Sequence, residues 1–302
     1  MANPTPFGKK STADEVLAGL DLTGKTFLIT GCNSGIGLET MRALAARGAH
    51  IIGLARTFRG AKLACDSVGG YVYPVECDLT SRDSIRRGLE IIANLGRPVD
   101  TIITNAGMMG TKALQTLHGV EAQFFVNHIA HFILVNCLLG LVPSQSGRIV
   151  VVSSSASIDQ APKEGIMFDN LDGSRYYKPF AFYGQSKLAN ALFAKELSRR
   201  IEKRGIAVNS LHPGAVGGTA LQRNLGFPLS LVLAIARNFM KTIPQGAATQ
   251  ALLAASPAVE GITGQYWSDC QVAKGSSHLD DDQMAARLWE VSEAIASGIC
   301  SD

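Results

Sequence analysis

The stretch KTFLITGCNSGIG, Lys25 to Gly37, decides the fold. Its first half is a short apolar run with β-branched and aromatic residues, the composition of a buried strand. Its second half places Gly31, Gly35 and Gly37 in one turn, and from Gly35 the pattern becomes helical to Arg47. A strand that turns through glycines into a helix is the context in which a dinucleotide is held. Gly31 permits the tight turn, Gly35 lets backbone approach a pyrophosphate, and Gly37 allows close helix–strand packing, while the helix N-terminus favours the anion. Asn33, Ser34 and Ile36 complete the candidate cofactor loop. The spacing is G-x-x-x-G-x-G rather than G-x-G-x-x-G, and a glycine turn without a ligand is the plainer alternative.

Outward from this unit, short apolar runs alternate with helical stretches. Ala49–Ala55, Tyr71–Glu76, Val99–Ile103, Arg148–Val152, Ile206–Leu211 and Gly264–Trp267 read as further strands. Ser81 to about Leu95, Ala113–Leu139 and Phe182–Arg204 read as helices. Near-continuous apolar strands separated by helices predict a parallel sheet covered on both faces. The fold class is therefore α/β: a single doubly wound, Rossmann-type domain with a mostly parallel seven-stranded sheet and its ligand crevice at the C-terminal strand ends. Residues 1–22 are expected to be an N-terminal leader and 23–302 the domain, with a substrate flap or hairpin at about 159–179 and a less regular lid at about 215–243.

The whole chain fits this frame. It has 302 residues, 46% hydrophobic and 18% charged, and 31 glycines without a collagen period, so it is neither disordered nor fibrous. A net charge of +3, with scattered basic residues, speaks against a nucleic-acid partner. The six cysteines (Cys32, Cys65, Cys77, Cys137, Cys270, Cys300) form no C-x-x-C pair, and with His128, His131, His212 and Glu121 they make no metal spacing, so no metal is expected. Gly19 to Thr26 matches G-x-x-x-x-G-K-[ST], but a helix-like stretch precedes it and a strand follows, the reverse of a phosphate-binding P-loop. No G-x-S-x-G elbow points to a hydrolase. Val126–Pro143 is apolar but broken by Asn127, His128, His131 and Asn136, and Phe227–Met240 is too short to span a bilayer. The polar N-terminus has no signal-peptide core, so a cytoplasmic location without a membrane span is expected.

Two further patterns carry chemistry. The end of the second strand reads Leu54-Ala55-Arg56, with Arg59 and Lys62 beyond and no carboxylate in the run. An acidic residue there would take a ribose 2′-hydroxyl, whereas Arg56 suits the 2′-phosphate of NADP(H). Tyr183 and Lys187 lie four apart on a predicted helix and share a face. An ammonium beside a phenol favours the phenolate, and that makes Tyr183 a usable acid or base. Ser153, Ser154 and Ser155 follow the RIVVV strand upstream.

Taken in order, these pieces resemble the short-chain dehydrogenase/reductase family from about Leu22 to Ser292. The carriers are TGCNSGIG (30–37), Cys77-Asp78-Leu79, Asn105-Ala106-Gly107, Val126-Asn127-His128, the serines after RIVVV, YGQSK (183–187) and His212-Pro213-Gly214. VNHIAHFIL, DNLDG, GQYWSDC and RLWEVS are most similar to the retinol dehydrogenase-like and WW-domain oxidoreductase-like branch. The resemblance implies an NADP(H)-dependent oxidoreductase, with NAD(H) as the alternative cofactor, that interconverts an alcohol and a carbonyl on a fairly hydrophobic small molecule. A non-catalytic dinucleotide sensor is the alternative from another class. By the same resemblance Tyr183 is the general acid/base, Lys187 its partner and a ribose ligand, Ser154 the hydrogen-bond donor to the substrate oxygen, and Asn127 the support of a proton path. Asp78 and Leu79 would meet the adenine, Asn105, Ala106 and Gly107 the adenosine ribose, and Pro213 and Gly214 the nicotinamide. Ser153 and Ser155 remain alternatives to Ser154, and Gly217-Gly218 before Thr219 departs from the family pattern. A homodimer or homotetramer through helices Ala113–Leu139 and Phe182–Arg204 is implied as well.

Overall fold

Strands form where the chain is apolar on both of its sides. The computed structural model describes residues 5–217 and 240–297. Its strands are β1 (Thr26–Thr30), β2 (His50–Ala55), β3 (Val72–Glu76), β4 (Thr101–Thr104), β5 (Thr116–Leu117), β6 (Val120–Glu121), β7 (Arg148–Val152), β8 (Ala207–His212), β9 (Tyr266–Ser268) and β10 (Gln271–Val272). The main sheet runs β3-β2-β1-β4-β7-β8-β9-β10. All neighbours are parallel except β9 and β10. β1 is buried throughout. Leu28 enters one core and Phe27 and Ile29 the other, as strand alternation requires.

Helices Arg82–Asn94, Ala130–Leu138, Pro179–Arg200 and Asp282–Ala296 cover one face. Ala13–Val16, Gly35–Ala45, Phe58–Val68 and Ile243–Ala255 cover the other. From β1 the chain winds outward through β2 and β3; from β4 it winds the opposite way through β7, β8 and β9. The crevice expected at such a switch point lies beyond the C-terminal ends of β1 and β4.

Several expectations are corrected here. Among the described residues the sheet has eight strands rather than seven: β10 folds back onto β9 through Asp269 and Cys270, both at positive φ (53° and 61°). Residues 113–121 are not helical. His118 (φ 53°) and Gly119 (φ 87°) turn the chain between β5 and β6, and the helix begins only at Ala122, where the Glu121 carboxylate accepts from Phe124 N–H. The stretch 159–179 forms successive turns with no strand, interrupted by Pro162, Gly165 and Gly173. Most of the expected lid, residues 218–239 with Gly218 and Thr219, lies outside the described residues. Within the expected leader, Thr5 Oγ1 donates to Cys270 C=O (2.8 Å), and Ala13 and Leu17 are fully buried.

The two helices expected to join subunits are buried over much of their length within the single chain. Every residue from Val120 to Val135 and from Phe182 to Ala194 is buried. The cover is Asp282–Ala296. Trp289 packs edge-on to Phe132 at 4.9 Å and stacks on Phe193 at 5.9 Å, with the Arg200 guanidinium 4.4 Å from its ring. Helix Ala122–Leu141 is the one described helix long and apolar enough to cross a membrane, and it lies inside this core.

Candidate active site

The glycine turn is shaped by contact rather than by composition. Gly31 has φ +68°, and a Cβ there would stand 2.9 Å from Ala106 Cα. A Cβ on Gly37 would stand 2.3 Å from Gly31 O and 2.5 Å from Asn105 Nδ2. No side chain but hydrogen fits either position without backbone movement. Asn105 holds the turn by donating from Nδ2 to Thr30 O (2.9 Å) and Gly31 O (3.3 Å). Helix Gly35–Ala45 then starts without a side-chain cap from Ser34 and without an acid in its first turn. Its open N–H groups and dipole suit a phosphate. The residues present therefore fit a dinucleotide pyrophosphate.

Across the crevice, helix Pro179–Arg200 carries Tyr183 and Lys187 on one face. The Tyr183 side chain is 7% exposed and Lys187 4%. Lys187 Nζ donates to Val152 O at the end of β7 (3.1 Å) and lies 6.0 Å from the centre of the Tyr183 ring. Burial holds the Lys187 ammonium down to about 8. Burial also raises the Tyr183 phenol, and a hydrogen bond with Ser154 opposes that rise. Burial of the Tyr183 phenol thus works against the lowering expected from Lys187.

The three serines separate by role. Ser153 Oγ is spent on Lys187 C=O (2.7 Å). Ser154 is half-buried and pairs with Tyr183, and Ser155 is exposed. Asn127 sits in a π-helical turn, Phe125–Ile129. Its Oδ1 accepts from Met108 N–H (2.8 Å), and its Nδ2 donates to Met108 O (3.0 Å) and Ser186 Oγ (2.9 Å). That clamp sets the turn after β4, where a Cβ on Gly107 would meet Asn127 Oδ1 at 3.2 Å and Lys187 Nζ at 3.4 Å.

The remaining predicted residues ring the same crevice. Ala106 N–H donates to Thr30 Oγ1 (2.9 Å). Asp78 is half-buried, with Oδ1 committed to Thr80 N–H and Oγ1, and Leu79 is buried beside it. Ile36 is half-buried and reaches toward Gly246. Gly214 (φ +91°) follows Pro213 and rests on the Lys241 side chain, which is ion-paired to Asp269 at 2.6 Å. Arg56 is exposed directly after β2, as is Asn33 across the loop. One neighbour escaped the sequence reading: Glu76, in register with Ala55, extends its carboxylate to accept from Phe58 N–H (2.9 Å). Its position at the end of the adjacent strand was the available signal.

Comparison with known proteins agrees with this fold. A family model described as short chain dehydrogenase matches residues 25–166. The chain is 38% identical to the short-chain dehydrogenase TIC 32 B, chloroplastic, of Brassica napus over 99% of its own length and 97% of the relative's. It is likewise 38% identical to retinol dehydrogenase 14 of Homo sapiens, over 90% and 86%. A crystal structure of a putative uncharacterized protein from Mycobacterium Paratuberculosis superposes with a TM-score of 0.73 at 28% identity, over 93% of this chain and 96% of that one.

Proposed function

The chain belongs to the short-chain dehydrogenase/reductase family and is an oxidoreductase, and from that premise we propose that it interconverts an alcohol and a carbonyl on a hydrophobic small molecule with NADP(H). The carrying observation is the meeting of Ser154, Tyr183, Lys187 and Asn127 beside an uncapped helix N-terminus and a glycine turn with no room for side chains. A nicotinamide held there would supply the hydride chemistry at the carbinol carbon. Ser154 orients the substrate oxygen. Tyr183 gives that oxygen a proton during reduction and takes it back during oxidation. Lys187 holds ribose hydroxyls and stabilises the phenolate formed when Tyr183 donates. Asn127 fixes the turn that faces Lys187. Asn33, Ser34 and Ile36 with the helix N–H groups would hold the pyrophosphate, Asp78 and Leu79 the adenine, Asn105 and Ala106 the ribose, and Pro213 and Gly214 the nicotinamide.

The apolar substrate class is supported by Leu114, Ile158, Tyr176 and Phe180, large apolar side chains that stay exposed around the post-β4 turn and the 159–179 stretch. The test is nicotinamide absorbance followed across a panel of aldehydes, ketones and alcohols. Oxidation or reduction of cofactor supports the reading; tight cofactor binding with no turnover on any member supports the sensor alternative.

Arg56 supports NADP(H), because its guanidinium is exposed at the β2 end without a partner among the described residues. Glu76 is the observation that favours NAD(H). Arg56→Ala is expected to weaken NADPH about ten- to a hundredfold, the worth of a charge-assisted hydrogen bond, and to leave NADH unchanged. Titration of both cofactors checks this, and equal losses for the two would remove the 2′-phosphate role.

Because Asp282–Ala296 covers the expected subunit face, we propose that the chain acts as a monomer with respect to that face. Light scattering is expected to give the mass of one chain, and a stable wild-type dimer through that face would contradict it. The cytoplasmic location stays a proposal: the buried thiols of Cys32, Cys65, Cys77 and Cys270 are free, which favours it, whereas Cys137 is disulfide-bonded, which counts against it.

A further inference from the structure

His131 is buried and ionisable, and the chemistry above makes no use of it. It stands one helical turn after Asn127, where the backbone departs from α-helical bonding over Phe125–Ile129. Its Nδ1–H donates to the Asn127 carbonyl at 2.9 Å. Its Nε2 lies 2.9 Å from Thr30 Oγ1, the last residue of β1 before the glycine turn. Thr30 Oγ1 already accepts from Ala106 N–H at 2.9 Å, so its own proton is left to donate to Nε2. A carbonyl on one side and a hydroxyl proton on the other leave one consistent arrangement: a neutral imidazole protonated at Nδ1.

We propose that His131 is a positioning residue, a neutral imidazole strut that ties the Asn127 turn to Thr30 and thereby fixes the glycine loop, the Ala106–Met108 turn and Lys187 in one register. The path is continuous. Thr30 Oγ1 holds Ala106, Asn127 holds both backbone groups of Met108, and Gly107 between them faces Lys187 Nζ. Asn127 also reaches helix Pro179–Arg200 through Ser186 Oγ, which in turn donates to Tyr183 C=O at 2.7 Å. Without the strut, the π-helical turn loses the imidazole that joins its Asn127 carbonyl to Thr30. The charged or titratable groups that face the ring are Lys187 from the neighbouring helix and His128 from its own. Burial and the Lys187 ammonium both keep His131 uncharged, its proton affinity held down to about 4.

The inference rests on the proposed oxidoreductase reading, and the experiment separates the two. In wild type, imidazole nitrogen NMR is expected to show His131 protonated at Nδ1 and bare at Nε2, with no titration through the neutral range. This needs no substrate, and the opposite tautomer or a protonated ring at neutral pH overturns the strut. In turnover, His131→Phe is expected to lower kcat about ten- to a hundredfold through misplacement of Lys187. The midpoint of its alcohol-oxidation pH profile should move upward. Thr30→Val breaks the same link from the other end, and Thr30→Ser keeps it and is expected to restore the wild-type profile. The double variant His131→Phe/Thr30→Val should lose no more than the worse single one. Additive losses, or an unshifted profile in His131→Phe and Thr30→Val alike, overturn the proposal while wild-type turnover preserves the function. If wild type transfers no hydride, the function falls and the tautomer alone decides the strut. Should His131→Phe fail to fold, the Thr30 pair carries the turnover test.

Discussion

Tyr183→Phe is expected to lower turnover about 10²- to 10⁴-fold, the contribution of one positioned acid/base, while NADPH still binds. The variant removes one oxygen and keeps the ring, which packs in a nearly closed site. The oxygen's partner, Ser154, is half-buried and regains water, so stability should fall by no more than about 1 kcal/mol. The pH dependence of each direction follows from the protonation state. Burial raises the Tyr183 phenol against the pull of Ser154, so at neutral pH the group holds its proton and serves as donor to a carbonyl oxygen. In wild type, carbonyl reduction is expected to stay level through neutrality. Alcohol oxidation, which needs the phenolate, is expected to climb as pH rises. Initial rates in both directions across pH, with cofactor titration of the variant, check all of this. Turnover by Tyr183→Phe within about tenfold of wild type would sink the acid/base role.

The parts of this site legible in the sequence are those whose constraint is local. Gly31 and Gly37 could be read because a tight turn and a close helix are properties of neighbouring residues, and the distances from Gly37 to Gly31 O and Asn105 Nδ2 show the reason. Tyr183 and Lys187 could be read because four residues on a helix make one face. The β1 and β7 strands were plain because both of their faces are buried and the runs are continuously apolar. What stayed hidden depends on groups brought together from afar. Ser154 separates from Ser153 only when helix Pro179–Arg200 presents the Lys187 carbonyl that Ser153 takes. Glu76 becomes relevant only when β3 pairs with β2. His131 lay inside an apolar run that reads as ordinary core, and nothing in that run shows that its two nitrogens meet Asn127 and Thr30.

The errors share a cause. Ala113–Leu139 reads as one helix because the apolar pattern of Ala122–Leu138 masks a short hairpin, whose signal was only Gly119 and the capping carboxylate of Glu121. The subunit face was expected from the family resemblance alone. Helices Phe182–Arg204 and Ala113–Leu139 are apolar enough to need a partner, but the partner is the amphipathic Asp282–Ala296 segment of the same chain. Apolar periodicity says that a face is covered, not by what.

Lys187→Met is expected to abolish turnover and to make the protein more stable at neutral pH. The Lys187 ammonium is buried, and its pKa is held down to about 8 from an ordinary value of 10.5. Because the unfolded chain binds this proton more tightly than the folded one, stability rises with pH between those two values and the shortfall is complete below about 8. A shift of that size corresponds to about 3 kcal/mol. Methionine has a similar length and no charge to desolvate, and the Val152 carbonyl that Lys187 leaves still accepts from Asn190 Nδ2 at 3.0 Å. Allowing for imperfect repacking, the variant should gain about 1–3 kcal/mol at pH 7. The gain should shrink as pH is raised from about 8 through 10.5, above which the wild-type lysine is neutral in both states. Chemical denaturation of both proteins at neutral and alkaline pH measures this directly. A variant less stable than wild type at pH 7, or a gap that ignores pH, would show that the buried charge is not the cost. The expected combination, greater stability with no catalysis, would mean that the fold carries this ammonium at its own expense because the reaction needs a positive charge beside the Tyr183 phenol.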